Sequence, residues 1–124
     1  MIVAALDLAG AFDTIDHQML LKKLEKRCGI KGPALALLKS YLAERRQRVL
    51  KTSGETSKWR ANPWGVPQGS VLGPLLFVLF CEDMGEALQE AGLIQFADDA
   101  TVVTADNNPE EAVRTMNRVL LFEE

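Results

Sequence analysis

Residues 92–104, GLIQFADDATVVT, decide the fold that this sequence predicts. Two short segments, residues 93–97 and 100–104, are rich in apolar, β-branched and aromatic side chains, and Asp98 and Asp99 lie between them. Short segments of this kind on either side of a polar turn are typical of a β-hairpin. The sequence therefore predicts a hairpin that carries two adjacent carboxylates at its tip.

Another strand is predicted near the start of the chain. Residues 2–8, IVAALDL, form a short and nearly continuous apolar run, which is typical of a buried strand. The run contains one acid, Asp7. Burying a carboxylate without a partner is costly, so Asp7 is out of place in a purely structural strand.

Helices are predicted on both sides of the middle of the chain. Apolar residues recur at helical spacing after Asp13, which we expect to cap the first helix, and Pro33 marks the start of a second. Residues 70–84 predict a helix that is apolar on all sides. A last helix is expected to begin after Asn108, with Val113 among the residues on its inner face.

The remaining strands complete an α+β pattern. Residues 47–52 and 57–61 predict two strands around a turn at residues 53–55. The element order is then β, α, α, β, β, α, β, β, α. Helices mixed with hairpins favour a two-layer α+β sandwich, in which helices back an antiparallel sheet.

Charge is distributed unevenly along the chain. The 124 residues fit one domain or part of one, and the net charge of −3 argues against a nucleic-acid binder. Residues 39–60, however, carry seven Lys or Arg against two acids, whereas residues 82–124 carry eleven acids against two Arg. Within the basic segment, Arg45, Arg46 and Arg48 would suit nucleic-acid phosphates, and a solvated helix end is an equally good interpretation.

Cysteine use and hydropathy indicate the environment. Cys28 and Cys81 have no metal-binding spacing and are interpreted as free thiols in a reducing compartment, which predicts an intracellular protein, nuclear or cytoplasmic. Residues 61–81 carry no charge, but Pro and Gly interrupt the run, and its apolar part is too short to cross a bilayer. No membrane partner is expected.

Asp7, Asp98 and Asp99 are the acids that would do chemistry. If the strands bring them together, the carboxylates repel each other, and a divalent cation removes that penalty. Mg²⁺ prefers carboxylate oxygens and leaves sites for phosphate, and two such ions can clamp a phosphoryl transfer. The alternative interpretation is structural: Asp7 ends a strand, and Asp98 and Asp99 form a polar turn.

Three motifs make the sequence resemble a known family. They are LDLAGAFDTIDH at residues 6–17, GVPQGSVLGPLLF at residues 65–77 and FADD at residues 96–99. In this order and spacing they resemble the three central motifs of reverse transcriptases, most closely those of non-LTR (LINE-type) retrotransposons. The text between the motifs is also similar, so the resemblance covers nearly the whole chain.

The resemblance implies roles for the acids. Asp7 and Asp98 match the metal-binding aspartates of the reverse-transcriptase palm, and Asp99 matches the third acid beside them. The backbone carbonyl of Leu8 would be a further metal ligand. The family implies two Mg²⁺ ions as cofactors, with Mn²⁺ as a substitute.

The resemblance also implies a nucleotide site. Phe12 matches an aromatic residue that lies under the incoming sugar and blocks a ribose 2′-hydroxyl, whereas a core Phe is the structural alternative. Gln68 and Gly69 match residues that contact the incoming nucleotide and the template. A plain Pro/Gly turn explains this loop less well, because it gives no reason for Gln68.

The implied activity is that of an RNA-directed DNA polymerase. Residues 1–124 match the palm with part of the connecting fingers, while the other fingers and the thumb are absent or incomplete. The expected partners are an RNA template, a DNA primer, dNTP and the missing regions of a longer polyprotein, and the isolated chain is expected to be weak or inactive.

Two other functions remain open from the sequence. One is a non-catalytic module, degenerate or domesticated from a retroelement, that binds nucleic acid or protein. The other is a different Asp-based phosphotransferase or nuclease. A site of the haloacid-dehalogenase type would require a second Asp two residues after Asp7, where this sequence has Ala9.

Overall fold

A computed structural model describes residues 1–121, which contain five strands and five helices. In chain order they are β1 (Ile2–Asp7), α1 (His17–Lys26), α2 (Gly32–Leu42), β2 (Arg46–Gln47), β3 (Arg60–Ala61), α3 (Leu72–Phe80), α4 (Met84–Ala87), β4 (Gly92–Phe96), β5 (Asp99–Thr104) and α5 (Pro109–Leu120). The α+β class is therefore confirmed. The chain divides into two compact units, one of residues 1–9 with 81–121 and one of residues 10–80.

The first unit is built on a three-stranded antiparallel sheet. Its strand order is β1-β5-β4, so β5 lies in the centre and pairs with both neighbours. The predicted hairpin is confirmed as β4 and β5, but its tip differs from the prediction by one residue. Ala97 and Asp98 form the turn, and Asp99 is already the first residue of β5.

Helix α5 packs against one face of this sheet. Val102 of β5, Met116 and Val119 of α5, and Leu88 form a buried cluster, against which Leu6 and other residues of β1 pack. Alternate residues of β1 are exposed on the other face, as side chains on successive strand positions require. The antiparallel sheet backed by a helix agrees with the predicted layering.

The ends of α5 follow from its sequence. Asn108 is the N-cap, because its Oδ1 accepts a hydrogen bond from the Glu110 backbone N–H at 3.0 Å, and Pro109 occupies the first turn. Val113 is 46% exposed, so its predicted place on the inner face is wrong. The buried residues Ala112, Met116 and Val119 mark the true inner face.

The second unit contains three helices. Helix α1 contacts both α2 and α3, and its buried residues Leu20 and Leu24 form the inner face. The predicted N-cap at Asp13 is wrong. Asp16 caps α1 instead, with its carboxylate accepting a hydrogen bond from the Met19 backbone N–H at 2.7 Å.

Helix α3 is shorter than predicted and is not buried on all sides. It ends at Phe80, and the separate short helix α4 begins at Met84. Asp83 lies in the predicted continuation between the two helices, and Asp is a weak helix former. Leu75 and Val78 are each 52% exposed, so α3 has a solvent-facing side.

None of the helices within residues 1–121 has the length and apolar character that a membrane crossing requires.

The middle strands are also shorter than predicted. Strands β2 and β3 pair only Arg46 with Ala61 and Gln47 with Arg60, and one isolated bridge joins Leu50 to Thr56. All residues from 46 to 61 are exposed. A two-stranded ribbon without a packed face is marginally stable, which accounts for the short pairing.

Candidate active site

The three predicted acids lie at one end of the sheet in the first unit. Asp7 is the last residue of β1 and is the direct partner of Asp99, the first residue of β5. Directly opposed residues of an antiparallel pair have Cβ atoms about 5 Å apart and point to the same face. Asp98 immediately precedes Asp99 in the turn, so the sheet register brings the acids of two distant motifs together.

The turn that carries Asp98 has an unusual backbone. Ala97 has a φ of 52°, in the left-handed region that glycine normally occupies, whereas the φ of Asp98 is not positive. A positive φ at only the first of two turn residues is the pattern of a type II′ hairpin turn. The Gln95 side-chain Nε2 donates to the Ala97 carbonyl at 3.0 Å and holds the turn. Retained strain of this kind is typical of functional sites.

The acids have unmatched charge. In the described part of the chain, the carboxylates of Asp7, Asp98 and Asp99 make no hydrogen bond and no ion pair. Their chemistry, together with the nearby Leu8 carbonyl, suits a hard cation such as Mg²⁺. Within residues 1–121, however, no three His, Cys, Asp or Glu side chains are grouped closely enough to hold a metal ion by themselves.

In the second unit, the loop before α1 and the loop that contains Gly65 are joined by backbone hydrogen bonds, although they are distant in sequence. The Val66 N–H donates to the Phe12 carbonyl and the Gly65 N–H to the Ile15 carbonyl, both at 2.7 Å. The His17 Nε2 donates to the Gly65 carbonyl at 2.6 Å. These bonds join the first motif to the second, so the predicted nucleotide residues of both motifs belong to one substructure.

Phe12 and Gln68 are held differently within this substructure. Phe12 is half-buried, and its ring centroid lies 4.8 Å from that of Phe77 on α3. Gln68 is exposed, and its Nε2 donates to both carboxylate oxygens of Asp13 at 3.2 and 3.1 Å. Gly69 follows with a φ of 80°, which glycine adopts without strain.

Sequence reasoning did not predict the contact partners of Asp13 and His17. Asp13 was expected to cap a helix, yet it contacts Gln68, which lies 55 positions further along the chain. His17 contacts Gly65 across 48 positions. No local pattern signals contacts over such distances, so only the fold identifies these partners.

The three arginines predicted to contact nucleic acid differ in their contacts. Arg45 donates to the Tyr41 carbonyl at 3.3 Å and its guanidinium carbon lies 5.6 Å from the Tyr41 ring centroid, so it covers the end of α2. The guanidinium carbon of Arg48 lies 4.6 Å from the ring centroid of the exposed Trp59. Arg46 is exposed, with no hydrogen bond or ion pair to any residue within 1–121.

Comparison with known proteins supplies the family. Residues 1–122 match the profile of the family described as reverse transcriptase (RNA-dependent DNA polymerase), a match that includes all three motifs. The chain belongs to the reverse transcriptase family. The resemblance seen in the three motifs is therefore confirmed.

Two relatives of this reverse-transcriptase chain come from mobile elements of Drosophila melanogaster. The probable RNA-directed DNA polymerase from transposon BS is 35% identical over 122 residues, which cover 93% of this chain and 13% of the relative. The RNA-directed DNA polymerase from mobile element jockey is 40% identical over 109 residues, covering 82% of this chain and 12% of the relative. The chain thus spans about one eighth of the length of these relatives.

Proposed function

We propose that this chain is the palm region of an RNA-directed DNA polymerase of the non-LTR retrotransposon type. The primer 3′-hydroxyl would lose its proton to solvent, and its oxygen would bond to the α-phosphorus of a dNTP. The bond from that phosphorus to the bridging β-phosphate oxygen would break, and pyrophosphate would leave. The pairing of Asp7 with Asp99, directly beside Asp98, is the observation that carries this proposal. Catalysis of this type consists mainly of positioning and charge neutralisation.

The acids would hold the cofactor. We assign Asp7, Asp98, Asp99 and the Leu8 carbonyl as ligands of two Mg²⁺ ions, with Mn²⁺ as a substitute, although no three-acid group is formed in residues 1–121. When bound, such ions neutralise phosphate charge and act as Lewis acids. The carboxylates, which have no other partner in the described chain, remain available for this role.

Phe12, Gln68 and Gly69 would contact the incoming nucleotide. Phe12 is held by the Phe77 ring, which would fix it as a steric barrier to a 2′-hydroxyl. The exposed Gln68 and Gly69 occupy a turn that leads into α3, where backbone can approach a ligand closely. The RNA template and DNA primer would bind together with flanking regions of a longer polyprotein, of which residues 1–124 form a partial domain.

A chimeric polymerase tests this function. Residues 1–122 would replace the aligned segment of the jockey polymerase, and primer extension would be measured with an RNA template, dNTPs and Mg²⁺. We expect extension, with the parent jockey polymerase as reference. A folded chimera that retains RNA but extends no primer would reject the proposal in favour of a non-catalytic binding module.

Phe12→Ala in the same chimera is expected to lower the preference for dNTPs over rNTPs by about tenfold or more, because the barrier to the 2′-hydroxyl is removed. The ratio of the two incorporation rates is the measurement, since it does not depend on how much enzyme is folded. Phe77→Leu, which removes the ring packed on Phe12 but keeps Phe12 itself, is the comparison variant and is expected to lower the ratio less than Phe12→Ala does. An unaltered ratio in Phe12→Ala would show that Phe12 is a core residue only.

The basic hairpin, residues 46–61 with β2 and β3 at its base, would contact nucleic-acid phosphates through Arg46 and Arg48. The Trp59 ring holds the Arg48 guanidinium in place, which lowers the entropy lost when that guanidinium pairs with phosphate. Arg45 would contribute less to these contacts, because its guanidinium already donates to the Tyr41 carbonyl.

The affinity of the 124-residue chain for single-stranded RNA is measured at several salt concentrations. Arg46→Ala and Arg48→Ala are each expected to make the fall of log affinity with log salt shallower by about 0.7, because each removes one phosphate contact. Lys26→Ala, which removes an exposed cation from the last turn of α1, is the control and should leave the slope unaltered. If both arginine variants keep the original slope, the hairpin is a solvated surface and not a phosphate contact.

A further inference from the structure

Gln68 lies in a tightly held turn. The Ser70 N–H donates to the Pro67 carbonyl at 3.3 Å, and Gly69 between them has a φ of 80°, which is the pattern of a type II turn. The Ser70 hydroxyl donates to the same carbonyl at 2.7 Å and accepts from the Gly73 N–H at 3.0 Å. The backbone of Gln68 is therefore fixed relative to the start of α3.

Asp13 is fixed on the opposite loop. Its N–H donates to the Gly10 carbonyl at 2.8 Å, and the carbonyl of its neighbour Phe12 accepts from Val66. Gly65 lies so close to Asp13 that a Cβ at position 65 would be 2.8 Å from the Asp13 Cα. The contact between Asp13 and Gln68 is thus determined by two backbone segments that are bonded to each other.

The chemistry of this contact determines how the Gln68 amide is oriented. An ionised carboxylate can only accept hydrogen bonds, so the amide nitrogen of Gln68 has to face Asp13. Its Nε2 lies 3.1 and 3.2 Å from the two carboxylate oxygens. Both oxygens belong to one carboxylate and lie on the same side of Nε2, so they share one of its two N–H groups. The Oε1 of Gln68, which is an acceptor, and the second N–H remain for a ligand.

We propose that Asp13 is a positioning residue, which holds the Gln68 amide so that Oε1 accepts a hydrogen bond from a sugar hydroxyl or a base amino group of the dNTP. An ionised triphosphate offers acceptors and no donors, so the Oε1 of Gln68 cannot form a hydrogen bond with the triphosphate. The proposal rests on the proposed function, since it takes the dNTP as ligand. It adds the residue that orients Gln68.

The first test observes the contact directly in the 124-residue chain. The side-chain amide signals of Gln68 are compared by NMR between the unsubstituted chain, Asp13→Ala and the control Asp106→Ala. We expect Asp13→Ala to move the Gln68 signals to the positions typical of an exposed residue such as Gln18, while Asp106→Ala leaves them in place. Gln68 signals that do not move in Asp13→Ala would overturn the proposal.

The second test measures binding by the same chains in the presence of Mg²⁺, with dATP and with inorganic tripolyphosphate as probes. Asp13→Ala is expected to weaken dATP binding roughly three- to tenfold and to leave tripolyphosphate binding unaltered. Asp13→Asn keeps an acceptor oxygen facing Gln68 and should restore most of the dATP affinity. This rescue separates positioning from a general loss of structure.

The outcomes are distinguishable. Two results for Asp13→Ala would overturn the positioning role and leave the proposed function intact. One is that dATP binding and tripolyphosphate binding weaken equally. The other is that dATP affinity is unaltered although the Gln68 signals move to the positions of an exposed residue. Absence of dATP binding by the unsubstituted chain would count against the proposed function and would remove the nucleotide as the ligand of Gln68. The NMR comparison would still decide whether Asp13 holds the amide.

Discussion

The Asp98→Asn chimera is expected to extend a primer about a hundred- to a thousandfold more slowly than the unsubstituted chimera, because a metal site supplies several kcal/mol of charge stabilisation. Asparagine keeps the size of the side chain and one acceptor oxygen but removes the negative charge. The Asp98 carboxylate makes no hydrogen bond or ion pair within residues 1–121, so the substitution breaks no contact of the fold. The single-turnover extension rate at saturating dNTP and Mg²⁺ is the measurement.

Asp106→Asn is the matched control for this experiment. It removes one negative charge from the same unit, and its remaining oxygen can still accept the bond from the Asn108 N–H, which is 2.7 Å long in the structure. We expect this variant to retain the full rate. Equal slowing in both variants would assign the effect to net charge, and an unaltered rate in Asp98→Asn would remove Asp98 from the metal site.

The sequence singled out three candidate acids but did not predict how they are arranged. Asp and Asn are common in turns, so Asp98 and Asp99 were expected to share the hairpin tip. Alanine gives no such signal, yet Ala97 occupies the first turn position at a φ of 52°. The shift of one residue is important, because it moves Asp99 into the strand and makes it the direct partner of Asp7.

The start of α1 shows why long-range contacts limit such predictions. Asp13 and Asp16 are both suitable N-caps by residue type. Asp16 is the cap, whereas the carboxylate of Asp13 accepts a bond from Gln68 in the distant second motif. A choice between two equivalent residues that depends on a partner 55 positions away cannot be made from the local sequence.

In the basic hairpin, the sequence predicted more regular structure than is observed. Its composition predicted two strands of five or six residues, and β2 and β3 have two residues each. Strand propensity reflects packing on a half-buried surface more than a preference of the backbone itself. Residues 46–61 are all exposed, so the propensity of Val49 and its neighbours is not realised as an extended ladder.

Gly65→Ala is expected to cause the largest loss of stability. A Cβ at this position would lie 2.7 Å from the Phe12 carbonyl oxygen, 2.8 Å from the Asp13 Cα and 2.9 Å from the Asp13 carbonyl oxygen, and φ is 77°. The left-handed backbone costs an L-residue about 1–2 kcal/mol, and overpacking costs about 1–3 kcal/mol more. We therefore expect the free energy of unfolding to fall by about 2–5 kcal/mol, measured by urea denaturation of the 124-residue chain.

Gly29→Ala separates the two costs of Gly65→Ala. Gly29 has a similar φ of 71°, but a Cβ there would meet nothing within 4 Å, so this variant carries only the backbone cost of about 1–2 kcal/mol. The excess loss in Gly65→Ala then measures how closely the two motif loops approach each other. Equal losses in the two variants would contradict that close approach. A large excess would show that the second motif requires a glycine at position 65 because the backbone of Phe12 and Asp13 occupies the space of a side chain.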